Sequence, residues 1–198
     1  MGNPNVGMMY PVFAPLVSHT DGSMPSYGSG VVIQEARNCT ITKTYNNNPL
    51  YGDDRIVDDD NGLQELKASF EPTGLTDSDR VLLFGEDAVS VGGITCHAES
   101  DNETPWGGFG YIRRMRDNGV RKFEAWIILK IKFQEENQTT TTKEGSIQWN
   151  TPTLNGRAAA LYIDSSDKMR FRVHGTFETI AAAKSWINTV LNVSSATT

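Results

Sequence analysis

Cysteine is nearly absent from this chain. Cys39 and Cys96 are the only two, and neither sits in a metal-spaced pair. The expectation is two buried free thiols in a protein made in a reducing cytosol. Histidine is as scarce, with His19, His97 and His174 scattered along the sequence. Cys96 and His97 are neighbours in strand-like surroundings and point to opposite faces, which excludes a shared metal or a Cys–His nucleophile pair. A serine elbow, a phosphate loop and a GxGxxG fingerprint are all missing. Residues 106–110, WGGFG, are glycine-rich but lack the lysine and the strand-to-helix setting of a phosphate loop. Their plain reading is a β-bulge or the start of a strand. No catalytic constellation, metal set or cofactor site is therefore expected, and the chain reads as a non-enzyme. Long apolar runs are missing too, so no membrane helix is predicted. The opening MGNPNVGMMYPVFAP has no basic region followed by an apolar core, and no secretory signal is predicted. Gly2 follows Met1, but Val6 stands where a myristoylation motif needs Ser or Thr. An excess of basic residues is also lacking. Lys and Arg number 18 against 24 Asp and Glu, a net charge of −6, which excludes a general nucleic-acid binder.

What is present suits one globular domain. The 198 residues are 38% hydrophobic and 21% charged, enough for a single core and too few for two large ones. Residues 1–30 are rich in Gly, Pro, Ser and Met without a sustained period. They read as an irregular arm with Tyr10, Val12, Phe13 and Leu16 as anchors, folding best against something else. Strand signal begins at Val31 and runs to Tyr45. Residues 45–62, YNNNPLYGDDRIVDDDNG, are dominated by turn formers and read as a long loop. A strand follows with Leu66, Ala68 and Phe70 on one face. Thr76 and Asp79 form a capping box for a short helix that Gly85 stops.

A glycine-containing strand near residues 89–97 leads to an acidic loop at 99–103. Residues 109–116 and 120–133 flank Asn118-Gly119, the strongest short hairpin cue. Phe123, Ala125, Ile127, Leu129, Ile131 and Phe133 alternate and demand one buried sheet face. Residues 134–145 read as a polar loop. Residues 147–154, 157–163 and 169–173 read as strands, with turns at Asn155-Gly156 and at 164–167. Thr176 or Thr179 caps a last helix whose Ile180, Ala183, Ile187, Val190 and Leu191 share one face. Residues 194–198 read as a flexible tail. The fold class is mainly β (α+β), a β-sandwich or incomplete barrel with a short internal helix and a C-terminal helix, the single domain spanning 31–193.

Charge is distributed unevenly. Asp53, Asp54, Asp58, Asp59 and Asp60 invite comparison with a calcium loop. Placing Gly62 at the invariant glycine puts Val57 and Ala68 at the two key ligand positions, so an EF-hand is excluded and a solvated acidic loop remains. Arg113, Arg114, Arg116, Arg121 and Lys122 make the central hairpin locally basic. It reads either as a solvated hairpin tip or as the counterpart of an acidic surface. Opposite patches on one chain suit head-to-tail contact between identical copies.

Several of these segments, in this order, resemble the major tail proteins of long-tailed siphophages and related prophages. NNNPLYGDD at 46–54, followed by RIVDDDNG, resembles their Asn-rich loop with its Leu-Tyr-acid-acid segment. TDSDRVLLFG resembles their short helix, WGGFGYIRRMRDNGVRKFEAWIILKIKF their central hairpin, and TFETIAAAKSWINTVL their C-terminal helix. The resemblance covers residues 31–191. It implies a tail-tube fold, hexameric rings stacking into a hollow tube around a tape-measure protein, and contact with tail-terminator and baseplate proteins. It further implies DNA passing without specific binding, and residence in the virion after synthesis in the host bacterial cytoplasm. Tyr45, Leu50, Tyr51, Asp53, Asp54, Arg55 and Asp58–Asp60, with Arg113, Arg114, Arg116, Arg121 and Lys122, are the candidate inter-subunit contacts. The alternatives are another tail component (terminator, head–tail connector or baseplate protein), or a carbohydrate-binding sandwich using Trp106, Trp126, Trp149 and Trp186. In-strand or in-helix packing accounts better for Trp126, Trp149 and Trp186.

Overall fold

Long alternating segments and few helix formers give a chain built from antiparallel strands. The computed structural model describes residues 5–46, 48–53, 55–60, 62–99, 101, 103–117, 119–135 and 151–194. In chain order the elements are β1 (Asn5–Ser18), β2 (Ser26–Tyr27), β3 (Val31–Val32), β4 (Ala36–Tyr45), β5 (Asn48–Gly52), β6 (Arg55–Asp60) and β7 (Leu63–Pro72). Then come α1 (Asp77–Phe84), β8 (Asp87–Val91), β9 (Ile94–Ala98), β10 (Gly107–Asp117) and β11 (Val120–Glu135). The last are β12 (Leu154–Ala158), β13 (Leu161–Tyr162), β14 (Met169–Arg170), β15 (Arg172–Phe177) and α2 (Ile180–Val190). The mainly β class with two helices is as expected.

The main sheet runs β2-β1-β10-β11-β12-β7-β4, with β15 also on β11 and β3 on β1. It curls on itself, and β4 returns beside β1 without joining it by a ladder. Phe13, Leu66, Phe70, Phe109, Ile131, Phe133 and Leu154, all fully buried, fill the inside. The result is an incomplete barrel formed by one sheet. Helix α1 covers the inside cluster with Leu83. Its Thr76 hydroxyl accepts from the Asp79 N–H at 3.2 Å while the Asp79 carboxylate accepts from the Thr76 N–H at 2.9 Å, the capping box read from sequence. Arg80 fixes α1 to the far end of β11 through Glu135 at 2.7 Å. Helix α2, capped by Thr179, lays Ala183, Ile187 and Leu191 on the outer face against Val12, Ile112, Ala125 and Ile127.

Residues 1–30 are not an irregular arm. β1 pairs along β10 from Asn5↔Met115 to Pro15↔Gly107, and Val12, Phe13 and Ala14 are fully buried. Its helical and strand periods are obscured because the ladder is broken between Val6 and Met8 and again between Met9 and Val12, with Gly7 and Tyr10 at positive φ. The domain therefore includes this strand.

The alternating run on β11 does not stay on one face. Phe109 pairs with Ile128 and Gly107 with Ile131, so β11 carries one extra residue between them. Ala125 and Ile127 face α2, whereas Ile128, Ile131 and Phe133 face the barrel interior. The backbone at the bulge is satisfied from outside the β10 ladder. The Leu129 N–H donates to Phe171 O at 3.0 Å, and the buried Tyr27 hydroxyl donates to Leu129 O at 2.6 Å.

Smaller corrections have local causes. Asn155-Gly156 lies inside β12 rather than in a turn, because Gly156 gives room to Ile131 and Phe133 across the strand. The segment near 89–97 is a hairpin, β8–β9, turned by Gly92 and Gly93, both at the positive φ that a two-residue turn requires. Cys39 and Cys96 are free but half-buried rather than buried. The loop at 134–145 and the tail at 194–198 lie almost wholly outside the described residues, as does 147–150 of the expected strand at 147–154; its residues 151–153 are not strand, and β12 begins only at Leu154.

Candidate functional site

Residues 45–62 form a hairpin, not a loop. The β4–β7 ladder ends at Tyr45↔Leu63, the Asn46 N–H donates to Gly62 O at 2.7 Å, and β5 then pairs with β6. Turn-forming composition concealed this, because Asn, Pro and Gly here sit on a ribbon only two strands wide. Leu50 lies opposite Asp58, Tyr51 opposite Ile56 and Gly52 opposite Arg55; Asp59 and Asp60 face Pro49 and Asn48. Asp53 occupies the turn at φ 50°, Tyr45 is half exposed, and Asp54 lies outside the described residues.

Hairpin β8–β9 is likewise a separate two-stranded sheet. Val89 pairs with Cys96 and Val91 with Ile94, so these four share one face, and Val91 and Ile94 are 63% and 68% exposed. Two-stranded ribbons are marginal in water by themselves. No side chain of β8–β9 belongs to either buried cluster.

The basic hairpin divides into two sets. Arg113 is paired with Glu124 at 2.6 Å, and Lys122 with Asp117 at 2.8 Å. Arg114, Arg116 and Arg121 are exposed, and among the described residues none has an ion-pair partner. Arg116 and Arg121 face each other across the tip, a like-charge pair that an anion would relieve.

A second cationic group was not legible in sequence. Where β4 comes beside β1, a cleft of about 210 Å³ is lined by Met8, Cys39, Ile41, Lys43, Tyr111, Arg113 and Arg172. Arg172 lies over the Trp126 ring at 3.9 Å and Arg113 at 5.2 Å, while His174 stacks on Trp126 at 4.2 Å. Burial pushes the Cys39 thiol up to about 12, although Arg113 opposes it, and burial likewise pushes the Tyr111 hydroxyl up to about 12. Both shifts favour the protonated form at neutral pH. Strand alternation marks Arg172 as facing away from Val173, but nothing local places it near Lys43.

Trp106 is flanked by Lys130 and Lys132 at 4.9 and 4.8 Å, Trp126 is covered as described, and Trp186 packs on Phe177. Trp149 lies outside the described residues. No open aromatic platform for a sugar is formed by the three described tryptophans.

Burial works to raise Glu124, yet the hydrogen bond and positive charge of its neighbours, Arg113 at 2.6 Å among them, outweigh it and hold the carboxyl below its ordinary 4.5. Its contribution to stability is complete above that ordinary value and is lost as pH falls through the lower folded one. Urea midpoints should thus drop more steeply for the native protein than for Glu124→Gln between about pH 5 and pH 3. Parallel curves would assign Glu124 no such role.

No protein-family model matches this chain, and no curated protein matches it in sequence. Among the described residues, no helix is long and apolar enough to cross a membrane.

Proposed function

We propose that the chain is a self-assembling structural protein of the virion, whose copies form stacked rings, hexameric by resemblance, that make the tail tube of a long-tailed bacteriophage. The observation that carries this reading is the pair of two-stranded ribbons, β5–β6 and β8–β9, which stand outside the main sheet, the second with Val91 and Ile94 exposed. Exposed edges are templates for pairing with another chain. An acidic ribbon and a tip with three arginines that have no ion-pair partner among the described residues favour contact between copies over contact with a different partner. The resemblance in the order of loop, helix, hairpin and terminal helix supplies the tube. A net charge of −6 suits a channel through which DNA moves without being held. A tape-measure protein inside the tube, with terminator and baseplate proteins at its ends, would be the partners.

Purified protein should give rings or tubes by negative-stain microscopy at high concentration, and sedimentation should show a monomer only when dilute. A monomer at every concentration and salt, with no tubes in the microscope, would overturn the reading. Protein that stops at single rings would favour a terminator, connector or baseplate component instead.

A further inference from the structure

The cleft between β4 and β1 gathers more positive charge than the described residues neutralise. Lys43, Arg113 and Arg172 line it, and the one carboxylate paired there is Glu124, on Arg113. Among the described residues Arg172 has no ion-pair partner; it rests on Trp126, with the Tyr111 hydroxyl within hydrogen-bond reach. The Arg113 Nε is buried without a hydrogen bond. Cations drawn partly out of water without a counter-charge are costly, and a guanidinium held over an aromatic ring loses less freedom when its fork of donors meets a carboxylate. Met8 and Ile41 add apolar walls, which exclude water from whatever enters. About 210 Å³ admits one acidic side chain and its neighbours, and is too small for a nucleotide.

We propose that this cleft is a carboxylate socket, filled in the assembly by an aspartate of the β5–β6 ribbon of a second copy of this chain. The inference rests on the self-assembly reading above. Charge complementarity selects the occupant: residues 50–60 hold five aspartates against one arginine. The ribbon continues from the end of the β4–β7 ladder at Tyr45, beyond Lys43. A second copy can bring the same ribbon to the cleft from outside.

The test uses the full chain, kept dilute so that it does not assemble, and a synthetic peptide of residues 50–60, LYGDDRIVDDD, followed by calorimetry. The peptide should bind, and Arg172→Gln should weaken it about tenfold, while Lys43→Gln, which removes an exposed pair, should weaken it about two- to fivefold. Lys43 is exposed, so its variant keeps the test valid even if Arg172→Gln fails to fold. Equal binding by the parent and the Lys43 variant overturns the proposal. So does binding of glutarate or inorganic phosphate as tight as the peptide, because the socket would then be a general anion site. In assembled material, acylation footprinting should show Lys43 protected relative to the dilute chain. Tubes with Lys43 as reactive as in the free chain would sink the socket and leave the tube reading intact. Peptide binding without any assembly would do the reverse.

Discussion

Replacing Gly108 by valine is expected to cost at least about 1–3 kcal/mol, the usual penalty for overpacking a filled site, and to lower the urea midpoint accordingly. A Cβ at this position would stand 2.6 Å from Leu191 Cδ2 and 2.7 Å from the Tyr27 ring. Neither neighbour is free to yield. Leu191 closes α2 onto the outer face, and Tyr27 is tied by its hydroxyl to the bulge at Leu129. The same strand has Gly110, whose Cβ would stand 2.9 Å from Leu191, and Gly107, whose Cβ would meet the Phe13 ring from the inner side. WGGFG is thus the place where α2 and β1 both come close to the β10 backbone. Gly74→Ala is the control, since nothing lies within 4 Å of the added carbon, and its effect should stay within about 0.5 kcal/mol. If Gly108→Val unfolds at the parent's midpoint, α2 is not seated on β10 as described.

The motif that a catalytic reading takes for a loop is therefore a packing device, and this pattern recurs wherever sequence and structure part. Local signals were legible. The Thr76–Asp79 capping box, the Asn118-Gly119 hairpin, the Leu66-Ala68-Phe70 face and the Ala183-Ile187-Leu191 stripe each depend on residues within a few positions of one another. What depends on pairing across the chain was not. Nothing near Leu129 announces a bulge, because its stabilising partners are Phe171 and Tyr27, both remote in sequence. Val12 and Phe13 look like isolated anchors until β10 lies beside them. The same holds for charge. The arginine cluster is visible in the sequence, but only the fold shows that Glu124 and Asp117 neutralise Arg113 and Lys122 while leaving Arg114, Arg116 and Arg121 exposed. The meeting of Lys43 with Arg172 is likewise a product of the sheet curling until β4 lies beside β1.

Reversing Asp58, Asp59 and Asp60 to lysine should leave the subunit folded and suppress polymerisation. The ribbon carrying them belongs to a two-stranded sheet outside the main one, so the unfolding midpoint should move by no more than about 0.5 kcal/mol. Each exposed ion pair is worth only about 0.2–1 kcal/mol, and one alone would be hard to see. Three pairs per copy sum to about 1.5 kcal/mol, and turning attraction into repulsion roughly doubles the change. At about 1.4 kcal/mol per factor of ten, the critical concentration should rise on the order of 100-fold. Salt provides an independent check. Screening shortens from about 10 Å at 0.1 M to about 3 Å at 1 M, so assembly of the parent should weaken over that range while the reversed variant changes little or improves. Light scattering against concentration measures both. Polymerisation of the triple variant at the parent's critical concentration would make the acidic ribbon a passive surface. The compensating change then locates the contact. Rescue by Lys43→Glu with Arg172→Glu places the aspartates in the cleft, whereas rescue by Arg116→Glu with Arg121→Glu places them at the tip of the central hairpin, where those two arginines already oppose each other.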